Sequence, residues 1–104
     1  MLYLIYQEDR PDGAKLRAAT RDAHLAYLER HKGIVVLGGA TLAEDGATRT
    51  GSVLIINVPD RKAAEAFSAD EPFRKAGLFR IVKISRMRRG QWNPEAAPKT
   101  AEGH

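Results

Sequence analysis

Ile34-Val35-Val36-Leu37-Gly38-Gly39, with its continuation to Ala43, the turn Glu44-Asp45-Gly46 and the run Ser52-Val53-Leu54-Ile55-Ile56-Asn57-Val58 decide the fold of this chain. The first run is β-branched and closed by two glycines, residues 40–43 prolong it, and the Asp-Gly step turns the chain back. Residues 52–58 form the returning strand, which Pro59-Asp60 ends. A hairpin therefore sits in the middle of the sequence, and its flanks decide what it pairs with.

On the N-terminal side, residues 2–7 are apolar and rich in Tyr and Ile, and they end in the turn cluster Asp9-Arg10-Pro11-Asp12-Gly13. Over residues 14–32 the period changes to three and four, carried by Leu16, Ala19, Ala23, Tyr27 and Leu28. This is a long helix, with Asp12 available as N-cap and Gly33 as C-terminal stop. On the C-terminal side, Asp60 caps a short helix bearing Ala63, Ala64, Ala66 and Phe67. Asp70-Glu71-Pro72-Phe73 breaks it, because proline disfavours helical dihedrals in the residue before it. Residues 74–77 are a loop or single turn, and residues 78–87 read as the last strand.

The order is β-α-β-β-α-β, the split βαβ arrangement of ferredoxin-like α+β folds, with one antiparallel sheet and both helices on one face. One domain over residues 1–92 is expected. Residues 93–104, with Pro94, Pro98 and Gly103 and no periodicity, form a tail that is either mobile or packed on a partner subunit.

The 104 residues are 43% hydrophobic and 29% charged, enough apolar material for one packed core. The absence of cysteine excludes disulfides, thiolate nucleophiles and cysteine-held metals. No export signal or membrane-length apolar run is visible, so a cytoplasmic protein away from membranes is expected. The net charge of +4 permits attraction to an anionic substrate. It does not argue for nucleic acid: only Arg86-Met87-Arg88-Arg89 clusters, and no aromatics interleave it as a stacking platform would need.

Leu4-Ile5, Val35-Val36-Leu37 and Val53-Leu54-Ile55-Ile56 are apolar on consecutive positions, whereas a sheet covered on one side alternates. Two helices cover one face only. The economical cover for the other is a second copy of the chain, so a homodimer is expected, with higher assembly left open.

Common motif patterns are absent: there is no glycine-rich phosphate loop, no paired carboxylates at metal spacing and no Gly-x-Ser-x-Gly elbow. The histidines are His24, His31 and His104. His24 and His31 lie seven residues apart on the first helix, too far for joint ligation, so neither a metal nor a cofactor is expected. His24 falls at the border of the apolar stripe. The plain reading makes it a core histidine filling the groove between helix and sheet, and the functional one makes it a proton acceptor or donor. His31 suits a charge at the helix C-terminus. Asp70 and Glu71 are loop carboxylates that either cap the next turn or orient the His24 imidazole.

Arg21-x-x-His24 with Tyr27-Leu28, Gly38-Gly39, Gly51-Ser52 and Asp70-Glu71-Pro72-Phe73-x-x-Ala76-Gly77 together resemble the YCII-related (YciI-like) family over roughly residues 1–90. That resemblance implies a dimeric α+β barrel whose pocket holds a histidine and an acid acting on a small organic molecule. His24, Asp70 and Glu71 would be the catalytic residues, and Arg21 an anion contact. Ser52, Pro72 and Phe73 would also bind substrate. The family often has aspartate directly before the proline, where this chain has Glu71, so the acid facing His24 is either Asp70 or Glu71. The expected function is proton transfer of isomerase or lyase type on an anionic or cyclic metabolite. The alternative is a non-catalytic ligand-binding or oligomerisation domain.

Overall fold

The computed structural model describes residues 1–103. It contains β1 (Leu2–Asp9), α1 (Ala14–Arg30), β2 (Val35–Leu42), β3 (Arg49–Asn57), α2 (Arg61–Asp70), the single turn α3 (Pro72–Lys75), β4 (Phe79–Met87) and a 3-10 turn at Pro94–Ala96. The four strands form one antiparallel sheet in the order β2-β3-β1-β4, so β1 and β3 are central. This is the ferredoxin-like α+β order.

Strand periodicity sorts the side chains into two layers. Tyr3 and Ile5 of β1 and Leu54 and Ile56 of β3 point to the helices, where they meet Tyr27 of α1 and Ala64 and Phe67 of α2. Each side chain of that size, fully buried, contributes about 1.5–3 kcal/mol. The other face carries Leu4, Ile55 and Leu37, which are neighbours in register across three strands. Leu37 is 64% exposed there and Ile81 42%. Consecutive apolar residues in the sequence thus correspond to a sheet that is apolar on both faces and covered by helices on one.

Local corrections follow from contacts that pattern alone does not carry. Gly13, not Asp12, is the N-cap of α1 and provides no side-chain bond, because Asp12 pairs with Arg10 instead. Helix α1 stops at Arg30 with His31 as C-cap, ahead of Gly33. Its inner side is not the alanine stripe: Ala19 and Ala23 are exposed, while Leu16, Arg17, Thr20, His24, Tyr27 and Leu28 turn inward. Alanine is too small to reach the sheet, so larger side chains set the rotation of the helix. Strand β2 runs unbroken through Gly38-Gly39, since glycine is costly in a strand but not forbidden. A Cβ on Gly38 would lie 2.5 Å from Leu54 Cδ2, so its absence makes room for that core leucine.

Asp60 caps α2 as expected, accepting from Ala63 N at 2.8 Å. The break after Asp70 holds one helical turn with Pro72 at its first position. In the β2–β3 turn, Asp45 accepts from Ala47 N, Thr48 N and the Thr48 hydroxyl, which hold its carboxyl down to about 2. His31 Nδ1 lies 2.8 Å from the Tyr27 carbonyl, at the negative end of α1. His104 lies outside the described residues. No helix among them is long and apolar enough to cross a membrane.

Beyond Asn93 every described residue is exposed. Deleting residues 94–104 is therefore expected to move the melting temperature by less than about 2 °C, because a domain of this size shifts by about 4–8 °C per kcal/mol. Scanning calorimetry checks this, and a drop of about 8 °C or more, or loss of an oligomer, would mean that the tail is a structural arm.

Candidate functional site

Helix α1 crosses the β2–β3 end of the sheet and leaves a cavity of about 280 Å³ beneath it. Leu25 and Leu28 of α1, Val35, Leu54 and Phe73 supply its apolar wall. Arg17, Arg21, His24, Arg49 and Ser52 supply the polar one. Arg17, Arg21, His24 and Leu28 recur at four, three and four residues, so a single helix face delivers all of them.

His24 hydrogen-bonds through Nδ1 to Oε1 of Glu71. Glu71 is 1% exposed and is the N-cap of α3, its Oε2 accepting from Arg74 N at 3.2 Å. Both carboxylate oxygens are thus occupied, one by the backbone and one by the imidazole. With Nδ1–H donating to the acid, Nε2 is the ring nitrogen left for a ligand, and the arrangement can accept or deliver a proton there. Phe73, two residues after Glu71, fixes the ring plane by stacking on His24 at a centroid distance of 4.0 Å and an angle of 17°. The Glu71-Pro72-Phe73 turn therefore holds the imidazole by an edge and by a face.

The sequence left Asp70 and Glu71 as alternatives. The structure brings Glu71 to His24, and it puts Asp70 at the exposed end of α2. The reason is the backbone: Asp70 ends a helix whose inner side carries Phe67 and Ser68, while extended Glu71 turns its side chain under α1. Burial, reinforced by the charges of Asp70 and Glu71, raises the Tyr27 phenol above its ordinary value. Tyr27 donates to the Phe67 carbonyl at 2.8 Å, tying α1 to α2.

Ser52 is 5% exposed and its Oγ accepts from Gln7 Nε2 at 2.8 Å. Its hydroxyl hydrogen has no acceptor among the described residues and is available to a bound molecule. Gln7 Oε1 is buried without a partner among the described residues. Arg21 lines the cavity, as does Phe73, whereas Pro72 serves to start α3 and is not in the lining.

Arg17 and Arg49 both line the cavity without having stood out in the sequence, and Arg17 is the more firmly held of the two. It grips Asp9 through Nε at 2.8 Å and Nη2 at 3.0 Å, and Nη2 also donates to the Gly51 carbonyl at 3.0 Å. Its guanidinium stands 4.7 Å from the Phe73 ring centroid. Gly51 is required there, since a Cβ would fall 2.0 Å from the Gln7 carbonyl oxygen. The available signal was the shared helix face with Arg21 and His24. Among the described residues no group of three or more histidines and acids is placed to hold a metal ion.

The chain is similar to known proteins along most of its length. The chain is 33% identical over 91 residues to Protein YciI of Escherichia coli O6:H1, spanning 81% of this chain and 93% of that one. The same identity and spans hold for Protein YciI of Shigella flexneri. Among solved structures, 5-chloro-2-hydroxyhydroquinone dehydrochlorinase (TftG) from Burkholderia phenoliruptrix, in complex with 2,5-dihydroxybenzoquinone, superposes with a TM-score of 0.80 at 39% identity, covering 86% of this chain and 96% of that one. An antibiotic biosynthesis monooxygenase, at 18% identity and a TM-score of 0.52 over 85% of this chain and 97% of its own, shares the fold alone. The YCII-related domain matches residues 1–88, and the chain belongs to that family.

Proposed function

We propose that this protein is a small proton-transfer enzyme of the lyase or isomerase type, acting on hydroxylated six-membered rings through His24 held by Glu71. The observation that carries this reading is the His24–Glu71 pair, with Nδ1 on a buried carboxylate and the ring stacked on Phe73 at the wall of a cavity. An imidazole so held has one nitrogen committed to the acid and one presented to a ligand. The similar dehydrochlorinase acts on a ring of this kind, and a cavity of about 280 Å³ with one apolar wall suits a single ring.

The chemistry asked of the site is modest. His24 Nε2 takes a proton from a ring hydroxyl and returns one to the ring carbon that bears the leaving group. Chloride then departs as a second hydroxyl gives up its proton, so that hydrogen chloride is lost overall and the ring becomes a quinone. Without a leaving group, the same two transfers are a tautomerisation. The Ser52 hydroxyl supports the ring oxygen, and Arg21 favours the anionic form. Asp70 has no part in this scheme.

The test is conversion of 5-chloro-2-hydroxyhydroquinone and unchlorinated hydroxylated rings, followed by product absorbance and chloride release. Catalysis above the spontaneous rate is expected for at least one of them. A protein that converts none and is stabilised by none is not such an enzyme, since a ligand at about 100 times its dissociation constant adds about 2.7 kcal/mol.

The same reading includes a homodimer that covers the helix-free sheet face. Support comes from the apolar side chains there, Leu4, Leu37, Ile55 and Ile81, which a solvated monomer would leave open to nonspecific association. Of the two adjacent isoleucines, Ile56 is fully buried towards the helices, so Ile55 is the one to change. Sedimentation of the wild type at micromolar concentration is expected to give twice the chain mass, and Ile55→Lys to move the equilibrium towards monomer. A wild type that sediments as a monomer removes the dimer from the account.

A further inference from the structure

Arg49 lies at the start of β3, outside every motif that marks the family resemblance, yet it lines the His24 cavity. The arginines around this cavity are not equivalent. Arg17 is neutralised by Asp9, with two bonds to one carboxylate, and is further held by Gly51. Arg21 has no hydrogen bond or ion pair among the described residues. Arg49 gives one bond, Nη1 to the Ala47 carbonyl at 3.0 Å, and no carboxylate meets it among the described residues. A guanidinium has five donors in a planar fork, so most of Arg49's capacity is unused.

Its position is nonetheless set. The Ala47 carbonyl belongs to the turn that Asp45 fixes by accepting from Ala47 N and Thr48 N, and Arg49 pairs with Leu42 in the sheet register. One uncompensated cation therefore reaches the cavity from α1 and another from the β2–β3 hairpin. Glu71 makes no contact with either arginine, its two oxygens being taken by His24 Nδ1 and Arg74 N.

We infer that Arg49, together with Arg21, forms a seat for an anionic substituent on the substrate ring, a carboxylate or an equivalent charged oxygen, and that Arg49 sets this preference. This rests on the proton-transfer reading for where the ring sits, but not for its test. Charge-assisted pairing of a guanidinium with a carboxylate is the strong form of hydrogen bond, and a single such bond lost is worth about tenfold in affinity.

The experiment is calorimetric titration with two probes, hydroquinone and 2,5-dihydroxybenzoate, which differ by the carboxylate. Wild-type protein is expected to bind 2,5-dihydroxybenzoate at least about tenfold more tightly. Arg49→Ala should remove most of that difference while leaving hydroquinone affinity within about twofold, and Arg49→Lys should restore part of it, since a point charge keeps attraction but not the fork. Arg49 is exposed, and an unchanged melting temperature verifies that the variants fold. Equal affinity for the two probes, no measurable binding of 2,5-dihydroxybenzoate in the millimolar range, or a preference that survives Arg49→Ala overturns the inference. Because titration reads binding and not conversion, a wild type that prefers the carboxylate yet converts no ring removes the proton-transfer reading and leaves this one in place.

Discussion

Glu71→Gln is expected to lower turnover of a ring substrate by about 10²–10⁴, while Asp70→Asn leaves it within about twofold. The two acids are adjacent in sequence, but their surroundings differ. Glu71 is buried, caps α3 and holds His24 Nδ1, whereas Asp70 is exposed at the end of α2. An amide at position 71 can still accept from Arg74 N and fill the same space, so the fold should persist. What it removes is the negative charge that fixes Nδ1 as donor and stabilises the imidazolium formed when Nε2 takes a proton. Steady-state rates of the two variants, with their melting temperatures, check this. A reversed order, with Asp70→Asn the inactive variant, would move the acid role one residue back.

His24→Asn is the second large effect, with turnover expected to fall by about 10²–10⁴ and KM to change far less. Asparagine keeps polarity near Glu71 but has no basic nitrogen. The loss of a bond to a buried carboxylate should cost about 1–3 kcal/mol, so the variant remains folded at room temperature. The contrary outcome is also well defined. If His24→Asn is unstable but retains turnover, the imidazole is a packing element between α1 and α3 and the site's chemistry lies elsewhere.

Much of the fold was legible because it is written in period. The change from consecutive apolar residues at 53–56 to three- and four-residue spacing at 16–28 separates strand from helix, and Pro59-Asp60 marks where α2 begins. The rotation of α1 was misread, because Ala19 and Ala23 score as apolar while contributing little to contact with the sheet. The site was legible in part. His24 and its acid neighbourhood stand out on motif, but the choice between Asp70 and Glu71 depends on the direction of the chain before Pro72. Arg49 carries no local signal, and Arg17 only its place on the helix face of Arg21 and His24. Their places depend on long-range partners, Asp9 and Gly51 for one and the β2–β3 turn for the other, and no local spacing encodes those.

In the proposed complex a hydroxylated ring sits in the α1 cavity with an oxygen on His24 Nε2. The measurement that meets it most directly is a crystal structure of this chain bound to 2,5-dihydroxybenzoquinone, read for the distance from Nε2 to the nearest ring oxygen. A distance of about 2.6–3.2 Å is expected, with Nδ1 still on Glu71 and the ring against Phe73. A ring bound outside the cavity, or one lying inside it with Nε2 turned away and sealed by side chains, would contradict it.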